Sequence, residues 1–412
     1  MSFNPLEEKG TPIEKQYRDW RNLNPIPYDK TTVHPYTRAR IILMNGIETE
    51  AAIFLHQFNR HCDDMEVKKV IAESRRIEQQ QQKAVNYQIP ADETLLEVTI
   101  GYEQVAVDLT AWLAQNEKDE NVKQALDFAL LEDFDHLYRY ADLMDLECGI
   151  KAERVVQEYT EITPGRPTAA HHRHPQDEIR KHINKDDADI QTKLNILTIV
   201  AGEQQTMNFY MNNGNRHGSN LGRGLYMEIG QVEEQHVSHY ESLNDPNMSW
   251  YEMLLMHEYT ECWLYYSMYK EEVDEVLKKL WEQHLYMEIG HLNHAVKLLK
   301  EKEGKEAKDM LPKALPSIFK FQSNKEYIRK ILEEQIHLTT QDQGYVSVKD
   351  LDENSRFRTF NKKVNNIWVP SNEVIKDYIF RNGMDYRFEL EGENPIKELQ
   401  DRTTVIETLA IK

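Results

Sequence analysis

Apolar residues recur every three or four positions over most of the chain, the spacing of helices with one buried face. From Thr37 this spacing predicts a helix over 37–61, with apolar residues at 41, 42, 44, 47, 51, 54, 55 and 58. A polar turn from His61 to Asp64 leads to a second helix over 65–88. The break Gln88-Ile-Pro-Ala-Asp92 opens a third, over 92–116, because Pro and Asp favour a first helical turn. Asn116 to Asn121 turns into a fourth, over 120–147, which Gly149 closes. The pattern lapses across 149–190 and then predicts four more helices, over 190–213, 218–243, 249–270 and 272–302. Beyond Pro312 it predicts a helix over 324–338, β-prone pieces at 345–348 and 366–369, and a helix over 371–381.

The elements therefore predict an all-α protein with two tandem four-helix bundles. An arm (1–36) carries prolines at 5, 12, 25, 27 and 35, and precedes a bundle over 37–148. A linker (149–190) leads to a second bundle over 191–303 and an irregular C-terminal extension over 304–412. The linker holds Thr163-Pro-Gly-Arg-Pro167 and the cluster His171, His172 and His174, expected to be an exposed loop.

Composition agrees: only 16 Gly and 14 Pro stand among 412 residues, as expected of a helical chain. A net charge of −20 argues against a nucleic-acid partner, whose phosphates need a basic surface, and against anionic membranes. No apolar run approaches the roughly 20 residues that span a bilayer, and Met1 to Gly10 lacks a signal-peptide pattern. Cys62, Cys148 and Cys262 are far apart and form no Cys-x-x-Cys pair, against a disulfide framework or a zinc ribbon. The expectation is a cytoplasmic protein.

Candidate chemistry comes from a repeat. An ungapped offset of 155 residues lays Glu48 on Glu203, Glu78 on Glu233, Glu103 on Glu258, Asp133 on Glu288 and His136 on His291. Within the second bundle, Glu203 precedes Glu258, and Glu233 precedes Glu288, by 55 residues. Each hairpin thus offers one bare Glu and one Glu-x-x-His, whose members sit one helical turn apart on one face. The expected ligands are Glu203, Glu233, His236, Glu258, Glu288 and His291. Four carboxylates in a low-dielectric core require cations, and oxygen and nitrogen ligands without thiolate favour iron or manganese. The first bundle offers Glu48, Glu78, Gln81, Glu103, Asp133 and His136. There Gln replaces one His and Asp one Glu, so a degenerate site is expected.

This pattern resembles the ferritin-like di-iron carboxylate superfamily, over 190–302 and more weakly over 37–148. The resemblance implies two Fe ions, or Mn, or a mixed Fe/Mn pair, activating O2 or peroxide to oxidise a small organic substrate. An external electron donor would be needed, and face-to-face pairing of such bundles implies a homodimer or a chain that carries its own partner. Glu261, three after Glu258, is similar to the extra carboxylate of rubrerythrins. His284, four before Glu288, resembles the extra His of di-iron arylamine N-oxygenases. Both are candidate further ligands. Rubrerythrin-like peroxide reduction, ferroxidase activity and a metal-free helical scaffold are the alternatives.

Overall fold

The computed structural model describes residues 3–157, 159–162 and 171–383, and the chain is mostly helical. Thr163 to Pro167 and the tail beyond 383 lie outside the described residues. The principal helices are α1 (Pro35–His61), α2 (Met65–Asn86), α3 (Leu95–Asn116) and α4 (Glu120–Cys148). A single turn, α5 (Glu153–Val156), precedes α6 (Ile190–Asn213), α7 (Asn220–Glu241), α8 (Trp250–Glu271) and α9 (Glu275–Glu303). Then follow α10 (Lys325–Gln335), the antiparallel hairpin β1 (Leu338–Gln341) and β2 (Gly344–Ser347), α11 (Arg356–Val364) and α12 (Pro370–Asn382). No helix among the described residues is long and apolar enough to cross a membrane.

The helix ends repeat with the 155-residue offset of the carboxylates. Thr94 and Ser249 each close a capping box, with Glu97 on α3 and Glu252 on α8. Asp119 and Asp274 each accept two backbone N–H bonds at the start of α4 and α9. Those two helices end on Gly149 and Gly304, at φ 64° and 69°, where an L side chain would be strained. Thr94, not Pro90 or Asp92, starts α3, because its hydroxyl satisfies an N–H that proline cannot cap.

The long helices fold into two compact units whose composition differs from the tandem expectation. The first unit takes Met1–Asp92, His182–Gln205 and Asn244–Phe321. It therefore combines α1 and α2 with α8, α9 and the first part of α6. The second takes Glu93–Lys181, Thr206–Leu243 and the chain from Gln322. It combines α3 and α4 with the rest of α6, α7 and α10–α12. Bundles over 37–148 and 191–303 do not coincide with these units. Short turns dictate that α1 pairs with α2, α3 with α4 and α8 with α9. They do not dictate which hairpins share a core, since every hairpin presents a similar apolar stripe.

In the first unit the N-terminal arm docks on α9. The Thr11 N–H donates to the Tyr286 carbonyl at 2.6 Å, and Gln16 Nε2 donates to the Met287 carbonyl at 3.0 Å. Gly290 makes this approach possible, since a Cβ there would collide with the Thr11 carbonyl. In the second unit one apolar core joins Phe128, Phe134 and Tyr138 of α4 to Leu225 and Ile229 of α7, Ile331 of α10 and Tyr378 of α12. The extension is more regular than expected. Residues 356–364 form α11, residues 366–369 form no strand, and the β pairing lies at 338–347.

Candidate metal centres

In the first unit, Glu48 of α1, Glu78 of α2, Glu258 and Glu261 of α8, and Glu288 and His291 of α9 converge in the interior, all buried. They form two ligand groups, Glu78, Glu258, Glu288 and His291, and Glu48, Glu78, Glu261 and Glu288. Within each group the donor atoms lie within 4.8 Å of one another, and Glu78 and Glu288 belong to both. His291 Nδ1 is 2.7 Å from Glu78, 3.1 Å from Glu288 and 3.8 Å from Glu258. Gln81 Nε2 donates to Glu288 and, at 3.5 Å, to Glu48. Tyr265 donates its hydroxyl proton to Glu48, and His284 Nδ1 stands 3.1 Å from the Tyr265 oxygen.

This centre is strongly acidic and short of cations. Burial, then neighbouring carboxylates, pushes Glu48 well above the usual range. Glu261 is raised well above it too, by burial and then by Glu288 and Glu78. Burial opposes protonation of His291, but Glu78 and Glu288 outweigh it and raise the imidazole well above its ordinary value. Glu48 Oε2, Glu78 Oε2, Glu258 Oε2, Glu261 Oε2 and His291 Nε2 are buried without a hydrogen-bond partner among the described residues. Five carboxylates thus face one imidazole, an arrangement that water-free protein tolerates only through protonation or bound cations. Oriented, unsatisfied oxygens on α1, α2 and α8, with the His291 nitrogen on α9, fit a pair of divalent ions.

The second unit builds a different centre. His136 Nδ1 lies 3.0 Å from Glu233, and His236 Nδ1 lies 3.1 Å from Glu233 and 3.5 Å from Asp133. Glu103, His136 and Glu233 form a ligand group. Thr110 donates to Asp133 at 2.9 Å, and Tyr210 donates to Glu103. The difference is Arg173, fully buried, whose guanidinium is 2.7 Å from Glu132, itself 2.8 Å from His236 Nε2. Arg173 also pairs with Glu178. Burial opposes ionisation of Glu233, yet His136 and His236 hold its carboxyl well below the usual range. A resident cation and two imidazoles balance this centre. Among the described residues, no arginine pairs with the first unit's five carboxylates.

The six expected ligands are therefore divided. Glu258, Glu288 and His291 join Glu48 and Glu78, while Glu233 and His236 join Glu103, Asp133 and His136. Glu203 is buried on α6. Glu261 joins the first centre. His284 does not, and instead orients Tyr265. Glu50 of α1 stays outside the centre and pairs with His257 at 3.0 Å. Gln81, read as decay of an imidazole, occupies the same centre as His291 and Glu261. Arg173 escaped the sequence reading, because a cation in a linker has no periodic pattern. Comparison with protein-family models, curated proteins and solved structures finds no match.

Proposed function

We propose that the first unit's centre holds two divalent metal ions, iron or manganese, and that the protein is an oxidoreductase acting on a small organic substrate. The observation that carries this reading is the pair of buried ligand groups sharing Glu78 and Glu288. Glu258 and His291 would serve one ion, Glu48 and Glu261 the other, and Glu78 and Glu288 both. Bound there, such ions supply activation of O2 or peroxide. The chain's own part is to hold four acidic helices in register and exclude water. It also keeps a proton on the Tyr265 hydroxyl beside Glu48, with His284 fixing that hydroxyl's orientation. An external donor would supply electrons.

The likeness to ferritin-like carboxylate proteins belongs to this reading. In the first unit each of two hairpins gives one bare Glu and one Glu three residues before an imidazole or amide. Peroxide reduction without an organic substrate is a second reading, favoured by Glu261 joining the centre. Iron-replete full-length protein, analysed for metal and then exposed after reduction to O2 or H2O2, tests both. Retained iron, with oxidant consumption lost in Glu288→Gln, supports the proposal. Iron no higher than in Glu78→Gln/Glu288→Gln refutes it. Fast H2O2 consumption that small organic substrates leave unchanged selects the second reading.

A further inference from the structure

The linker's histidines are not an exposed loop. His171 is 5% exposed and packs against Asp135 of α4 and Glu228 of α7, all within the second unit. We propose that His171, His172 and Glu228 bind one divalent transition-metal ion, in a site open to a cleft and adjoining the second unit's centre, where the His136 and His171 rings stand 5.3 Å apart.

Both imidazoles aim Nε2 at the same Glu228 oxygen, His171 from 3.4 Å and His172 from 2.8 Å. All three donor atoms fit within 4.8 Å. Two ligands each about 2.1 Å from a metal, at a near-tetrahedral angle, stand ~3.4 Å apart, so little movement separates this geometry from coordination. Neither ring nitrogen of His171 has a hydrogen-bond partner among the described residues, although the side chain is over nine-tenths buried. Each nitrogen faces a carboxylate oxygen only at 3.4 Å, Nδ1 that of Asp135 and Nε2 that of Glu228, and a buried imidazole held by such loose contacts gains from a ligand that engages it.

The surrounding groups suit a metal ligand set. Ser371 donates its N–H (2.8 Å) and hydroxyl (2.6 Å) to Glu228, fixing the carboxylate. His171 Nδ1 faces Asp135 at 3.4 Å, and Arg139 Nε holds Asp135 at 2.7 Å. Carboxylates behind ligating imidazoles orient the ring and raise its basicity. Two nitrogens and one oxygen, without thiolate, suit Zn2+ or Fe2+. Three protein ligands leave coordination positions free, as in metal sites that bind small molecules. Those positions face a cleft of about 410 Å3, walled by Met227, Val232, Phe360, Val364, Trp368 and Pro370. The cleft suits a molecule with an oxygen-bearing head and an apolar body. Much of this wall comes from α11 and α12, which gives the C-terminal extension a role.

The alternative is that the His172–Glu228 contact only fastens the linker to α7. Equilibrium dialysis of chelator-stripped full-length protein against Zn2+ separates the two. In a Glu258→Gln/Glu288→Gln background, which disables the first unit's centre, adding His172→Ala should remove about one bound ion per chain. His172→Gln should do the same, because it keeps a hydrogen-bond donor while removing a ligand. His172→Cys, a ligand of different shape, should retain the ion. Equal Zn2+ content in His172→Gln and its parent, both folded by circular dichroism, would overturn the proposal. The outcome is independent of whether the first centre binds metal.

Discussion

Glu261 separates the cost of the acidic centre from its use. The Glu261 carboxyl is buried, makes no ion pair among the described residues, and is raised well above the usual range by burial and by Glu288 and Glu78. Without metal this favours the protonated form, to which Gln is close in shape and charge. Glu261→Gln should leave the metal-free protein's stability within roughly 0.5 kcal/mol of wild type. With metal, the same change deletes an anionic ligand. A hundredfold loss of affinity would remove about 2.7 kcal/mol of ligand-linked stabilisation. For a unit of this size that lowers Tm by roughly 5–10 °C. The assay is thermal unfolding of both proteins, chelator-stripped and again with saturating Mn2+ or anaerobic Fe2+. Equal Tm values when stripped and a gap when loaded are expected. A gap of the same size in both states would refute the reasoning, since Glu261 would then act through packing alone.

Arg173→Met should destabilise the second unit by about 3–5 kcal/mol in urea unfolding, because Glu132 and Glu178 lose a fully buried partner. Adding Glu132→Gln should recover part of that loss. Gly290→Ala, stabilising in an ordinary helix, should cost roughly 1–3 kcal/mol here, because the new methyl meets the Thr11 carbonyl. Faster proteolysis of the arm would report it. Glu252, held to about 2 by Lys185 and Lys305 at 2.7 Å against a burial effect of opposite sign, contributes stability above its unfolded pKa. That contribution fades as pH falls from about 4.5 through about 2. Glu252→Gln should cost about 1–2 kcal/mol at pH 7, after allowance for solvent screening, and nothing below pH 2.

The helices were legible because period and caps agree. Asp64, Asp119 and Asp274 stand where the apolar pattern starts, and Gly149 and Gly304 where it stops. The Glu-x-x-His pairs were legible for the same reason, as a one-turn spacing on a buried face. Hairpin pairing was not legible, because Glu48 and Glu203 carry equivalent patterns and nothing local says which core each enters. Gln81 looked like decay only while its partners were sought within residues 37–148. Beside Glu261 and His291 it donates hydrogen bonds to Glu288 and Glu48. Arg173 was missed, and His171 was expected to be exposed, because their burial comes from α4 and α7, far away in sequence. Glu228 carried no signal, as a single Glu on a charged helix.

Helices α1 and α2 build one centre with α8 and α9, although their residues lie more than 150 positions apart. Metal content of Glu78→Gln, Glu288→Gln and the double variant, loaded identically, tests this most directly. If both carboxylates serve the same ions, each single variant loses the same ions and the double loses no more than the worse single, the non-additivity of residues in one site. Independent losses that sum in the double variant would place Glu78 and Glu288 in separate sites and contradict the account.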